Sequence, residues 1–507
     1  MAGKYRPLMI LGSGSDVGKS LVVAGLCRLF RQEGIRVVPF KAQNMALNSF
    51  ITPEGGEMGR AQVVQALAAG LAPHVDMNPI LLKPAAQVGS QVIVHGRVWG
   101  NFTTQEYHRA QPRLIRRVMA SFRRLKQAYD LVILEGAGSA VELNLKKRDL
   151  VNFAMARRAG AAALLVADID RGGVFAATIG SWHLLTPAER RLLAGFIINK
   201  FRGDPELFRD GADIIARRTG RPVLGILPYL PDLALPEEDS VALERKGKAV
   251  PGPEAFTLRI GVVKLPHISN YTDFDPLEHE PGVLLRYLDH RDTLEDWDLL
   301  ILPGTKNTIH DLKYLKETGL AAQLRIHARR GGRVAGICGG YQMLGLEVRD
   351  PLGLEGPPRA EAGLGLLPVV TTMAGEKTTT QVKAKALEAL GLGGGEVFPA
   401  YEIHLGETEP LGPGSPAFLI LERHGREAAT PEGWVSPDGR VFGTYLHGLF
   451  DHDGFRRRFL GNLAPGGGIP ASGSLSFQTF LEVQLDNLAA EFRRHLDLPR
   501  LFDLIRP

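Results

Sequence analysis

The run Gly12-Ser13-Gly14-Ser15-Asp16-Val17-Gly18-Lys19-Ser20 follows an apolar stretch, Leu8 to Leu11, and precedes a helical pattern from Leu21 to Phe30. A small-residue turn between a strand and a helix, closed by Gly-Lys-Ser, is the pattern of a phosphate-binding loop. Successive backbone N–H groups turn inward onto phosphate oxygens, a lysine adds a point charge, and the hydroxyl at the helix start is placed to ligate Mg²⁺. Gly12, Ser15, Gly18, Lys19 and Ser20 are therefore the candidate nucleotide-binding residues, with Ser20 also a metal candidate. Five residues separate Gly12 from Gly18, one more than the G-x4-G-K-[ST] pattern allows.

Beyond the loop, short apolar runs alternate with amphipathic stretches, which predicts a parallel sheet with crossover helices. The expected strands are Leu8 to Leu11, Val37 to Phe40, Leu131 to Glu135, Ala162 to Val166, Gly195 to Asn199 and Val223 to Ile226. Several end in polar or glycine-rich residues, where an open α/β sheet places its ligands. Lys41, Gln43 and Asn44 follow the second strand, a lysine beside amides that suits an anionic ligand. Met77 to Pro84 reads as a loop with two proline stops. Glu135 ends a β-branched run beside Gly136 and Gly138, which makes it the second Mg²⁺ candidate. Asp149 closes the charged stretch from Lys146, which read alone is a solvated loop. Asp168, Asp170 and Arg171 sit at the next strand end, and Asn199 at the one after, where phosphate-loop proteins often read the base.

At 507 residues the chain exceeds a single core, so two domains are expected. The proline- and charge-rich stretch 236–256 breaks the periodicity, which separates a domain at 1–235 from one at 257–507. In the second, Ile337 runs into Cys338-Gly339-Gly340-Tyr341. A cysteine between strand and helix, flanked by glycines, is a nucleophile elbow: the sharp turn exposes sulfur, and the helix start favours thiolate. A thiolate that expels ammonia needs an acid/base partner. His447, in Thr444-Tyr445-Leu446-His447-Gly448, offers one, and His404 competes for the role. Cys27 lies on an apolar helix face and reads as core.

Two cysteines exclude a disulfide framework or cysteine-rich metal centre, and no apolar run spans a membrane. No cleavable leader is expected, which points to the cytoplasm. The net charge is +5, but the densest cluster, Arg113, Arg116, Arg117, Arg123 and Arg124, fits a solvated helix face, and no nucleic-acid partner is expected.

The ordered set G-S-D-V-G-K-S, F-K-A-Q-N-M-A-L-N-S, E-M-G-R-A-Q, M-N-P-I-L-L-K-P, E-G-A-G-S, R-D-L-V-N, V-A-D-I-D-R-G-G-V-F-A, I-I-N-K-F-R-G-D, L-P-H-I-S-N-Y-T-D-F-D, L-P-G-T-K-N-T, G-I-C-G-G-Y-Q-M-L-G, Y-E-I-H-L-G and G-T-Y-L-H-G-L-F resembles the cobyric acid synthase family. The longer phosphate loop resembles that of dethiobiotin synthetases. The resemblance implies an α/β chain with a dethiobiotin-synthetase-like ATP domain followed by a class I type glutamine amidotransferase domain. It makes Cys338 the nucleophile, His447 its base, and the Gly304 and Gly339 amides the oxyanion donors. It raises Asp149 to a catalytic candidate and implies ATP, Mg²⁺ and glutamine. The substrate implied is adenosylcobyrinic acid a,c-diamide, with amidation of its b, d, e and g carboxylates, and Lys41, Gln43, Asn44, Asp170 and Arg171 are the candidate substrate contacts. The proline of the family's E-G-A-G-S-P-A-E run is replaced by Ala140 here, and the position two residues after the histidine holds Leu449, not an acid. The group orienting His447, the ammonia route, the order of amidation, the stage of cobalt insertion and the oligomeric state are left open by the sequence. The alternatives are cobyrinic acid a,c-diamide synthase and a non-enzymatic phosphate-loop switch.

Overall fold

A computed structural model describes residues 4–84, 89–238, 257–393, 395–464 and 476–506. The first sheet has six parallel strands in the order Val223–Pro228, Leu193–Phe201, Ala162–Asp168, Leu8–Gly12, Leu131–Glu135, Val37–Phe40. Its inner strands are apolar and buried along their length, as a sheet covered on both faces requires. All six expected strands are present. Because the strands run parallel, Gly12, Glu135, Asp168 and Asn199 gather at one edge, with Ile10 paired to Glu135 and Asp168 to Asn199.

Met77 to Pro84 departs from the expected loop: Ile80–Pro84 is a strand, parallel to Asn44–Met45 and antiparallel to Ser90–Val94. Its prolines flank the ladder, with Pro79 outside and Pro84 at the last position, so neither removes an interior donor. The helix Thr104–Ala128 carries the arginine cluster, and all five of its arginines are exposed.

The second sheet orders Val283–Leu288, Leu258–Val263, Leu299–Leu302, Arg333–Ile337 and Val441–Thr444 in parallel, with Trp434–Val435 antiparallel at the edge. A long hairpin, Val369–Ala386 with Val397–Pro410, lies beside it and pairs with Leu446–His447, bringing Tyr401 opposite His447.

Where the sequence assigns everything after 257 to the second domain, the structure returns the chain's end to the first. The helix Phe477–His495 lays Leu485, Leu488, Ala489 and Phe492 against the helix Lys19–Gln32, and Leu501 and Ile505 join the same core. Arg28 binds Asp486 and Glu482, each at 2.7 Å. The physical reason is an apolar face on Lys19–Gln32 that its own sheet does not cover.

The two sheets' surroundings meet through Asn48 to Ile51. The Ser49 amide donates to Asn270 Oδ1 at 3.0 Å, Phe50 packs edge-on against Tyr401, and Lys377 Nζ reaches Glu57 at 2.6 Å. No helix among the described residues is long and apolar enough to cross a membrane.

Candidate active site

Cys338 ends the strand Arg333–Ile337 and precedes the helix Gly339–Leu344 with φ 54° and ψ −113°, a conformation L residues rarely hold. Neighbouring glycines permit it. A Cβ on Gly340 would come within 1.8 Å of the Leu302 carbonyl, and one on Gly339 within 2.6 Å of Thr305 Cγ2. The elbow is thereby pressed onto the loop that carries Gly304. The Cys338 amide donates to the Thr444 carbonyl at 2.8 Å, tying the elbow to the strand that leads to His447.

Cys338 and His447 line one pocket together with Gly339, Lys306, Glu355 and His404. His447 is buried, and its Nδ1 meets Asp273 Oδ2 at 2.5 Å. Asp273 also accepts from the Gly448 amide at 3.3 Å and the Tyr401 hydroxyl at 3.4 Å, while the Tyr401 ring stacks on the imidazole. Burial opposes an imidazolium here, yet the Asp273 charge and hydrogen bond, joined by the Cys338 thiol, outweigh it and raise His447 to about 10. Asp273 thus answers what sequence reading left open. It lies in the L-P-H-I-S-N-Y-T-D-F-D run, 174 residues from the histidine, and only an acid beside two neighbouring aromatics in that run could have drawn attention to it. His404 has the opposite environment: burial lowers it to about 3, its ring stacks on Tyr445, and Nδ1 faces the Gly406 carbonyl at 3.0 Å. Gly304 lies beside the imidazole, since a Cβ there would stand 3.6 Å from His447 Cε1.

At the phosphate loop, Gly18 holds φ 96° and the helix starts at Lys19. Lys19 Nζ donates to the carbonyls of Gly14 at 2.8 Å and Gly138 at 3.0 Å, which joins the loop to the glycines after Glu135. Ser15 is exposed on the loop, its Oγ 3.9 Å from where a Gly138 Cβ would stand. Glu135 collects Ser20 Oγ at 2.8 Å, Lys41 Nζ at 2.8 Å, Gln65 Nε2 at 2.5 Å and Gln62 Nε2 at 3.2 Å. Burial disfavours that charge, but Lys41 and the other donors hold the carboxyl below its usual range. A hydroxyl beside an ionised carboxylate is a hard oxygen donor set, which fits Mg²⁺.

The remaining expected residues occupy the same strand-end edge in different ways. Lys41, expected at the substrate, is the buried ion-pair partner of Glu135. Asn199 donates to the Val17 carbonyl at 2.9 Å and stands under Gly18, supporting the loop from behind. Gln43 accepts from the Tyr107 hydroxyl, and Asn44 donates to Gln62 and to Glu238, a residue the sequence placed in the linker. Burial and the neighbouring Glu135 push Glu238 up to about 7, against the pull of Lys41 and Asn44. Asp170 pairs with Arg202 and Arg171 with Asp16, both at the surface. Asp149 directs its carboxylate onto the amides of Val151, Asn152 and Ala154, and Asn152 in turn brackets Ala137 through both its amide atoms. Asp149 therefore shapes the loop behind Glu135. Cys27 is buried core, where burial and Glu135 hold its thiol protonated.

Residues 8–242 match the CobQ/CobB/MinD/ParA nucleotide binding domain family, and residues 259–455 match the CobB/CobQ-like glutamine amidotransferase domain family. The chain is similar to the cobyric acid synthase of Syntrophobacter fumaroxidans, at 52% identity over 100% of this chain and 99% of the relative. It is 49% identical to the cobyric acid synthase of Moorella thermoacetica, over 98% of this chain and 96% of the relative. Among solved structures, a glutamine amidotransferase is 21% identical over 40% of this chain and 97% of its own, with a TM-score of 0.30.

Proposed function

The chain belongs to the cobyric acid synthase family, and from that premise we propose that it amidates corrinoid carboxylates in cobalamin biosynthesis, taking ammonia from glutamine and driving force from ATP in the cytoplasm. The observation that carries the reading is the strained Cys338 elbow sharing a pocket with an Asp273-held His447.

With His447 raised to about 10, its imidazolium faces the Cys338 sulfur at neutral pH, and the sulfur reacts as the thiolate. Cys338 Sγ attacks the glutamine carboxamide carbon, and the oxyanion meets the amides of Gly304 and Gly339. The C–N bond breaks as His447 gives its proton to the departing nitrogen, leaving ammonia and a thioester. Water then adds with His447 as base, and glutamate leaves as the thiolate is restored. Asp273 keeps Nδ1 protonated, so that Nε2 is the nitrogen that shuttles the proton.

In the first domain the loop amides of Gly12 to Gly18 and Lys19 would clamp the phosphates of ATP, and Ser20 and Glu135 would hold Mg²⁺. Bound MgATP would supply the phosphoryl group that turns an unreactive carboxylate into an acyl phosphate, releasing ADP, and ammonia then attacks the acyl carbon and expels inorganic phosphate to leave the amide. Gln43, Asn44, Asp170 and Arg171 serve the corrinoid side of that edge, while Lys41 holds Glu135. The substrate is adenosylcobyrinic acid a,c-diamide, and the b, d, e and g carboxylates are the targets.

Mass spectrometry of that corrinoid incubated with the protein, ATP, Mg²⁺ and glutamine tests the proposal. Stepwise conversion of four carboxylates to amides, absent without ATP or without an ammonia source, is the expected result. An unchanged mass with folded protein would overturn it.

A further inference from the structure

The pocket around Cys338 is rich in lysine: Lys83 reaches it from the first domain, and Lys306 and Lys377 from the second. Two of the three are committed. Lys83 and Lys377 both pair with the buried Glu57 carboxylate, Lys377 at 2.6 Å, and Lys83 also donates to Ser49 Oγ at 2.9 Å. Lys306 makes no ion pair or side-chain hydrogen bond among the described residues, although its backbone is fixed by the donation of its amide to the His267 carbonyl at 3.0 Å. A desolvated ammonium beside a second ammonium is costly. Burial and Lys377 both lower Lys306, with Glu57, Glu355 and Cys338 opposing.

Glu355 lines the same pocket. Its two oxygens accept the Thr308 and Ile309 amides at 2.9 Å each, so it is held at the start of the helix Thr308–Glu317, directly after the loop that carries Lys306. The pocket thus presents one uncommitted cation, on the loop before the helix Thr308–Glu317, and one fixed carboxylate, held from elsewhere in the chain at that helix's start, in the same pocket as the Cys338 sulfur. That is the charge pattern of an α-amino acid zwitterion reversed in sign.

We infer that Lys306 receives the α-carboxylate and Glu355 the α-ammonium of glutamine, so that these two residues set the glutaminase's choice of amide. The inference rests on the glutaminase reading of Cys338. Entry of the zwitterion supplies Lys306 with a counterion, and Lys83 and Lys377 add favourable potential without leaving Glu57. An amide that lacks either α-group leaves one charge of the pocket uncompensated, which is how a built polar site rejects a truncated analogue.

The test is hydrolysis, by the full-length enzyme, of three amides: glutamine, 4-aminobutanamide, which lacks the α-carboxylate, and glutaramate, which lacks the α-amine. Wild type is expected to prefer glutamine over either by about 100-fold in kcat/KM. Lys306→Met is expected to lose that margin for glutamine, mainly through KM, while 4-aminobutanamide is turned over as before; Lys306→Arg restores much of the preference. Glu355→Gln is expected to do the same with glutaramate as the insensitive amide. A general fall on all three amides would instead mark a structural role, and unchanged discrimination in both variants would equally overturn the assignment. Cys338→Ser separates the two levels: if it still hydrolyses glutamine the nucleophile reading fails, whereas if it is inactive and Lys306→Met is unaltered, only the zwitterion assignment fails.

Discussion

The thiol pocket and the phosphate-loop edge are both strand-end sites, yet they handle charge differently. At the loop, each ionised group is answered from within: Glu135 by Lys41, Ser20 and two glutamines, and Asp16 by Arg171 and Lys200. In the thiol pocket the elbow is strained, Lys306 is unpaired among the described residues, and His447 is held charged beside a cysteine. On the proposed reading the first site exchanges internal partners for phosphate and metal, and until then its groups also stabilise the fold. On the same reading the second is set for one reaction before substrate arrives. Substitutions should therefore separate into those that cost folding and those that cost only chemistry.

The largest effect breaks the chemistry on each side. Cys338→Ser should lower glutamine-dependent amidation by about 10³-fold or more while amidation from free ammonia persists, because the nucleophile is lost and the acyl-phosphate step is not. Lys19→Ala should abolish both, which side-by-side assays with glutamine and ammonium salts would reveal. Equal loss from the two ammonia sources in Cys338→Ser would remove the distinction between the sites.

Next comes Asp273→Asn. Losing the carboxylate that holds Nδ1 should reduce glutaminase turnover by about 10² to 10⁴-fold. The sign on pH follows from the raised imidazole: the imidazolium persists until pH climbs through about 10, so the alkaline limb of wild type lies high. With asparagine, burial is no longer opposed by Asp273, and the limb should move toward or below the ordinary histidine range. A pH–rate profile of the variant with an unmoved alkaline limb would exclude Asp273 as the orienting group.

Lys41→Met sharpens the other half of the comparison. Removing the ammonium leaves Glu135 buried, although Ser20, Gln62 and Gln65 still donate to it, so the cost should be about 3 kcal/mol, seen as a lower urea midpoint. Glu135 titrates below its ordinary 4.5, so its ion pair stabilises fully above that pH, and the contribution fades as pH falls through the folded value. The penalty of Lys41→Met should shrink in acid, and adding Glu135→Gln should recover part of it at pH 7. Glutamine hydrolysis at Cys338 should be preserved throughout.

How much of this the sequence carries depends on the range of the interaction. Gly12 to Ser20 and Cys338 to Gly340 are legible because a few consecutive residues impose the backbone they need. The six strands of the first sheet are legible for the same reason, each being a short apolar run with a polar end. Asp273 was not, since an acid earns its role only when folding brings it to His447, and Glu238 was hidden because a proline- and acid-rich stretch reads as linker whether or not one side chain folds back onto Asn44. Lys41 and Asn199 were legible as residues of the site but not in their places: the one pairs with the metal candidate and the other braces the loop. Asp149 was singled out from its motif, and its three backbone acceptances follow from the local chain reversal that no motif encodes.

The smallest effect comes from the packing of the chain's end. The helix Phe477–His495 can lie against Lys19–Gln32 only because Gly25 has no side chain: a Cβ there would approach the Phe492 ring to 2.5 Å. Gly25→Ala therefore sets a modest gain in helix propensity against a clash with a buried aromatic, and overpacking of this kind costs about 1 to 3 kcal/mol. Ring and helix must shift outward, and the strain falls on the helix that starts with Lys19 and Ser20, not on the second sheet. ATP-dependent amidation should lose thermal tolerance while glutaminase inactivation stays at the wild-type temperature. Pairing Gly25→Ala with Phe492→Leu should relieve the clash and restore part of the loss. Were glutaminase to inactivate in step with amidation, the two regions would unfold as one unit, and the separation of folding cost from chemical cost would hold only at the level of single side chains.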